Sequence, residues 1–148
     1  MQSFEGKVAV ITGAASGIGF AMAKRFAAEG MKLVVADIED AALQNAATDL
    51  AATGADVLAV RTDVSKFDDV QELATRAVDR FGKVHIVCNN AGVATAGFLA
   101  EATIRDWQWV VGVNLFGVIN GVQAFLPILL QQGEACHFVN TASIAGLI

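Results

Sequence analysis

No tyrosine occurs in the 148 residues, so the segment contains no phenol to give or take a proton. The two cysteines, Cys88 and Cys136, do not make a disulfide framework, and a reducing cytoplasm is the expected compartment. Charged residues are few, at 17%, while 55% are hydrophobic, a balance that excludes intrinsic disorder. Basic residues are outnumbered, ten Lys and Arg against fifteen Asp and Glu, and the net charge of −5 argues against a nucleic-acid partner. The opening MQSFEGKVAV lacks a basic stretch, an apolar run and a small-residue cleavage site, so no signal peptide is expected. There are no repeats, linkers or low-complexity tracts. The length suits one domain that buries about 68–70% of its extended surface.

The little charge there is crowds into the first half. Beyond Gly82 only Lys83, Glu101, Arg105, Asp106 and Glu134 are charged, and none falls between Trp107 and Gly133. That run is long enough to raise a membrane span. Asn114, Asn120, Gln123 and Pro127 inside it, and the absence of basic flanks, argue against one. Gly117-x-x-x-Gly121 serves close packing in a soluble protein as well as in a membrane. The expected element is a helix buried against a sheet on one side and against another helix or subunit on the other.

Short apolar runs alternate with amphipathic helices. Strands are expected at 7–12, 32–37, 56–61, 84–88 and 136–141. Helices are expected at 17–29, 40–52, after Ser65 as far as Phe81, and from about Thr103 to Gln131. Ser65 reads as an N-cap with Asp68 as its capping-box partner, and Gly30 and Gly82 read as stops. Pro127 is expected to kink the last helix or to start its final turns separately. Strands alternating with helices imply right-handed crossovers and a doubly wound parallel sheet covered on both faces. Such a sheet binds ligands beyond the carboxyl ends of its strands, near the switch in strand order.

The residues at those ends carry the chemistry. After the first strand comes Thr12-Gly13-Ala14-Ala15-Ser16-Gly17-Ile18-Gly19. Glycines let backbone N–H groups approach a pyrophosphate at a helix N-terminus, where the dipole favours an anion. The G-x-x-x-G-x-G spacing, with no following Lys-Ser/Thr, is not that of an NTPase loop. In a strand–turn–helix setting it reads as dinucleotide binding. Asp37 ends the second strand. A carboxylate there accepts hydrogen bonds from the adenosine ribose and repels a 2′-phosphate, which favours NAD over NADP; the alternative is a helix cap. Asp63-Val64 after the third strand suits the flanks of an adenine or a capped turn. His85, Cys88, Cys136 and His137 lack a zinc spacing, and strand alternation puts His85 and Cys88 on opposite faces, so no metal is expected.

Taken in order, Thr12-Gly13-x-x-x-Gly17-Ile18-Gly19, Asp63-Val64, Asn89-Asn90-Ala91-Gly92, Asn114 and Asn140-Thr141-Ala142-Ser143 resemble the short-chain dehydrogenase/reductase family. The match runs over essentially the whole sequence, and five motifs in register are far more specific than any one. The resemblance implies a Rossmann-type fold and NAD(P)-dependent hydride transfer between an alcohol and a ketone or other carbonyl. It implies that Thr12, Gly13, Ser16, Gly17, Ile18 and Gly19 form the pyrophosphate loop, and that Asp37 marks NAD rather than NADP. It places Asp63 and Val64 at the adenine, Asn90, Ala91 and Gly92 beside the cofactor ribose, Asn114 at a water of the proton relay, and Ser143 at the substrate oxygen. It further implies a homo-oligomer, a dimer or tetramer, joined through the long uncharged helix.

The family's Tyr-x-x-x-Lys, expected a short way beyond Ser143, does not occur in these residues. Residues 1–148 are therefore expected to form the NAD(P)-binding domain without the catalytic and substrate-binding part, with the sheet stopping at its fifth strand. Two other functions compete. A non-catalytic dinucleotide-binding module fits the lack of tyrosine. A methyltransferase shares a glycine loop and a strand-end acid, but not Asn89 to Gly92 or Ser143.

Overall fold

The computed structural model describes residues 3–144. Five strands form one parallel sheet: β1 (Val8–Thr12), β2 (Lys32–Asp37), β3 (Val57–Arg61), β4 (Ile86–Asn89) and β5 (His137–Asn140). Their spatial order is β3-β2-β1-β4-β5. The order reverses between β1 and β4, and a doubly wound sheet binds its ligands over that break. Helices α1 (Gly17–Ala28), α2 (Asp40–Ala51), α3 (Phe67–Phe81), α4 (Ile104–Val111) and α5 (Gly117–Gln132) make the crossovers.

Strand alternation divides the apolar side chains between two cores. Val8, Val10, Val34, Ala36 and Val87 face α3 and α5, where they meet Leu73, Ala77, Phe125 and Leu129. Ala9, Ile11, Leu33, Val35 and Ile86 face α1 and α2, where they meet Ala23, Leu43 and Leu50. Each fully buried Leu or Val contributes about 1.5–3 kcal/mol of transfer free energy, which is why the β1 and β2 runs carry no polar interruption. The expected burial on both faces weakens at the two edge strands: β3 is half-buried over Val57, Leu58 and Ala59, and in β5 Val139 is 40% exposed.

Two local expectations change. Ser65 does not cap α3. That helix starts at Phe67 with Lys66 before it and no side-chain cap. The Ser65 hydroxyl is spent on Asp63, whose Oδ1 accepts from Ser65 Oγ at 2.6 Å and from Ser65 N at 3.1 Å. Asp69, not Asp68, reaches back, and its Oδ2 accepts from Asp63 N at 3.0 Å. The long helix begins at Ile104 as expected, with Thr103 and Asp106 in a reciprocal capping box. It is interrupted by a π-turn at Gly112–Phe116. Pro127 does not divide α5, which continues to Gln132. Phe125 and Leu129, one on each side of the proline, are buried in the core and hold those turns.

The glycine pair on α5 serves this packing. A Cβ on Gly117 would lie 2.8 Å from Val64 Cγ2, and one on Gly121 would lie 2.0 Å from Asn89 Oδ1. Between them the buried Asn120 donates to Val64 O at 2.9 Å. The stretch Ile104–Gln132 has the length and apolarity to cross a membrane, but here its inner face covers β4 and α3 of the same chain. Its other face leaves Ile104, Trp107, Leu115 and Leu130 exposed.

At the amino ends of the strands, Glu134 gathers three partners. Lys7 Nζ lies 3.1 Å from its Oε2, His85 Nε2 lies 3.1 Å from the same oxygen, and Lys83 bonds Oε1. Donors from Lys83, Lys7 and His85 hold the carboxyl down at about 2. His85 Nδ1 accepts from Val8 N at 3.1 Å, so the ring is neutral with its proton on Nε2. Burial lowers its pKa, against the pull of Glu134. Cys88 is fully enclosed, and burial pushes its thiol up to about 11.

Candidate functional site

A cleft of about 610 Å³ opens over the carboxyl ends of the strands. Gly13, Ser16, Gly17, Ile18, Gly19, Asp37, Asp63, Val64, Asn90, Ala91 and Gly92 all line it. Of the expected cofactor residues only Thr12 does not. It is buried behind the cleft and organises it instead. Thr12 Oγ1 donates to Cys88 O at 3.3 Å and accepts from Asn90 N and Ala91 N at 3.0 and 3.1 Å. A single hydroxyl thus ties the loop after β1 to the loop after β4, across the break in strand order.

Asn90 completes the tie. Its Nδ2 donates to Thr12 O at 3.0 Å, and its Oδ1 accepts from Thr141 Oγ1 at 3.1 Å. The glycine loop fits beneath it only because two side chains are missing. A Cβ on Gly13 would sit 2.8 Å from Ala91 Cα, and one on Gly19 would sit 2.0 Å from Gly13 O and 2.7 Å from Asn90 Nδ2. Gly13 and Gly17 also take positive φ, 66° and 52°, which L side chains resist. The result is a glycine-lined cradle at the start of α1, whose N-terminus favours an anion. Ile18 stands 66% exposed beside it, an apolar side chain placed over the cleft rather than in the core.

Asp37 does two things at the end of β2. Its Oδ2 accepts from Ala15 N at 3.0 Å, inside the glycine loop, and its Oδ1 accepts from Glu39 N at 3.2 Å as the chain turns into α2. Asp37 lines the cleft and is not the N-cap of α2, which is Glu39. Partial burial pushes the Asp63 carboxyl up, but Ser65 and Lys66 outweigh that and hold its pKa below the usual carboxylate value.

The two residues expected to be catalytic do not line the cleft. Asn114 lies in the π-turn and is exposed. Its Oδ1 accepts from Val93 N and its Nδ2 donates to Val93 O, both at 2.8 Å, so the amide splints the strand-like segment after Gly92. Ser143 is exposed three residues beyond the end of β5. Thr141, closer to the strand, does line the cleft.

Several lining residues escape a motif reading: Ile38, Thr62, Val93, Trp109 and Val113. The first three follow the ends of β2, β3 and the Asn89–Gly92 motif, so the rule that ligands sit at strand ends reaches them. Trp109 and Val113 are one turn apart, and only helix periodicity combined with the close approach of Gly117 to Val64 would have found them.

Comparison with known proteins agrees with this geometry. The family model described as short chain dehydrogenase matches residues 7–148. The CLA biosynthesis dehydrogenase/reductase of Lactiplantibacillus plantarum is 38% identical over all of the chain and 52% of its own length. The 1-deoxy-11-beta-hydroxypentalenate dehydrogenase of Streptomyces arenae is 42% identical over 96% of the chain and 51% of its own length. A short chain dehydrogenase/reductase from Burkholderia phymatum, solved in complex with NAD, superposes with a TM-score of 0.97 at 56% identity, over 100% of this chain and 53% of that one. The chain spans about half the length of the curated relatives it matches. With motifs, strand order and family match in accord over residues 7–148, the chain belongs to the short-chain dehydrogenase family of oxidoreductases.

Proposed function

We propose that this chain supplies the dinucleotide-binding half of an NAD-dependent oxidoreductase acting between a small-molecule alcohol and the corresponding ketone in the cytoplasm. The observation that carries the reading is the glycine cradle at Gly13 and Gly19, closed by Asn90 and braced by Asp37. A Cβ at Gly13 would meet Ala91, and one at Gly19 would meet Gly13 O, so the tight turn that leads into α1 needs glycine at both positions. The complex of the Burkholderia phymatum relative with NAD supports the same reading.

NAD, when bound, supplies the hydride acceptor. Ala14 N and Ala15 N are spent on Ala36 O and Asp37 Oδ2, so the backbone N–H groups of the first turn of α1, Gly17 to Gly19, hold the pyrophosphate. Asp37 takes the adenosine ribose hydroxyls and disfavours a 2′-phosphate through charge. Val64 and Asp63 flank the adenine, and Asn90, Ala91 and Gly92 border the second ribose. Asn114 spends its amide on both backbone groups of Val93. Any relay water it anchors is therefore held through its main chain. Ser143 orients the substrate oxygen by a hydrogen bond.

Titration of the full-length protein with NAD and NADP tests the cofactor, and turnover of a panel of ketones with NADH tests the reaction. NAD binding without turnover of any alcohol or ketone would leave a non-catalytic dinucleotide module in place of an enzyme.

A further inference from the structure

We propose, building on the dinucleotide reading of the cleft, that Trp109 forms the outer wall of its adenine end and gives this protein an aromatic surface for the base. The cleft has two ends. Asp37, Ile38, Val64 and Ser65 mark one, at β2 and β3; Asn90 to Gly92 and Thr141 mark the other, at β4 and β5. The helical segment that carries Trp109 touches the second through Asn114, which bonds Val93, and it packs closely on the first. A Cβ on Gly112 would lie 3.5 Å from Ser65 Cβ, and one on Gly117 would lie 2.8 Å from Val64 Cγ2. Trp109 and Val113, one turn apart on this side, both line the cleft.

The chemistry at that end asks for such a wall. Asp63 Oδ1 is taken by Ser65 N and Oγ, and its Oδ2 lies 3.5 Å from Lys66 Nζ. The carboxylate nearest the base is thus already partnered. The apolar groups left to hold a planar ring are Ile38, Val64, Val113 and Trp109. The indole is 50% exposed, so it offers surface instead of filling the core. Its far flank borders a second hollow of about 510 Å³ beneath residues 94–102. An exposed tryptophan beside a nucleotide cleft gains more from a stacked base than from water.

ADP-ribose has the adenine half of the cofactor and no nicotinamide, so it separates the two ends. In the full-length protein, Trp109→Ala is expected to weaken NAD and ADP-ribose alike by about tenfold, and Trp109→Phe by no more than about threefold. Trp107→Ala, on the same helix but outside the cleft, leaves both unchanged. In Trp107→Phe, ADP-ribose quenches part of the emission, and adding Trp109→Phe to that variant removes that part of the quench. This readout stands even if Trp109→Ala fails to fold. Loss of NAD affinity with ADP-ribose affinity intact overturns the proposal, as does unaltered binding of both or a lack of quenching in Trp107→Phe. A wild-type protein that binds neither ligand overturns the dinucleotide reading itself.

Discussion

Asp37 Oδ2 accepts a hydrogen bond from the backbone N–H of Ala15 across 3.0 Å, joining the end of β2 to the middle of the glycine loop. The carboxylate is thus a brace of the loop as well as a negative charge in the cleft. These two roles make different demands on a substitution. NAD is expected to bind at least about tenfold more tightly than NADP, or ~1.4 kcal/mol, from carboxylate–phosphate repulsion. Asp37→Asn keeps an acceptor for Ala15 and removes the charge, so it should narrow the gap mainly by improving NADP. Asp37→Ala removes both and should weaken NAD as well. Titration calorimetry on the three proteins checks this, and equal affinities in the wild type would sink it.

The glycine cradle makes a paired prediction. Gly19→Ala drives a methyl against Gly13 O and Asn90 Nδ2. Overpacking of this kind costs about 1–3 kcal/mol, and here it also pushes on the anion site, so NAD binding should fall by about tenfold or more. Gly17→Ala meets no protein atom within 4 Å. Its penalty on folding is only the φ of 52°, about 1 kcal/mol. Thermal melts of the two variants should therefore rank Gly19→Ala as the more damaging to stability.

Much of this was legible in the residues, for identifiable reasons. The runs at 8–12 and 32–37 are apolar because both faces of the sheet are covered there, and such runs announce themselves. The cleft residues from Gly13 to Gly92 follow from strand ends and from motifs. The role of Thr12 was not legible, because its three hydrogen bonds join loops 76 to 79 residues apart in sequence. The Ser65 cap failed for a similar reason: Asp63, two residues before it, competes for the hydroxyl and wins. The π-turn at Asn114 leaves no periodic signature, since residues 107–116 are apolar at all but Gln108, Gly112 and Asn114 and offer no stripe for an inserted residue to displace.

The cluster around Glu134 predicts a loss of stability in acid. The carboxyl is held at about 2, below its ordinary 4.5, so its contribution is complete above pH 4.5 and is lost as pH falls toward 2. His85 acts in the same direction: its folded pKa lies below 6.5, so its neutral form favours folding above pH 6.5 and the unfolded state gains below it. The melting temperature should therefore decline from pH 7 to pH 3. Glu134→Gln should melt lower than wild type at pH 7, and the gap between the two curves should narrow steadily from pH 4.5 toward pH 2. Parallel curves across that range would rule out the carboxylate as the source.

An exposed stripe on the long helix predicts association. Ile104, Trp107, Val111, Leu115, Ile119, Leu126 and Leu130 recur at steps of three, four and seven residues, and all are exposed. A stripe of that size is rare on a soluble monomer. The full-length protein is expected to sediment as a dimer or tetramer at micromolar concentration. Leu115→Glu should lower the mass toward one chain without unfolding it, since Leu115 is 53% exposed. A wild-type protein that stays monomeric would remove the stripe as an interface.

Residues 1–148 by themselves are expected to bind NAD and to catalyse no appreciable hydride transfer. Reduction of a carbonyl needs a proton for the developing alkoxide, and oxidation of an alcohol needs one removed. In the family that the motifs resemble, a tyrosine does this, its phenol lowered from about 10 by a neighbouring lysine. The segment holds no tyrosine. Ser143 can orient an oxygen and Asn114 can anchor a water, but neither side chain exchanges protons near neutrality. Cys88 is no substitute, with its thiol enclosed and raised to about 11. His85 is committed to Val8 and Glu134 at the opposite end of the sheet. Loss of general acid–base catalysis alone costs about 10²–10⁴-fold in rate. NADH oxidation by purified 1–148 with a set of ketones, beside the full-length protein, measures the difference. Comparable turnover by the two would show that the proton is handled within these residues and that the role given to an outside tyrosine is wrong.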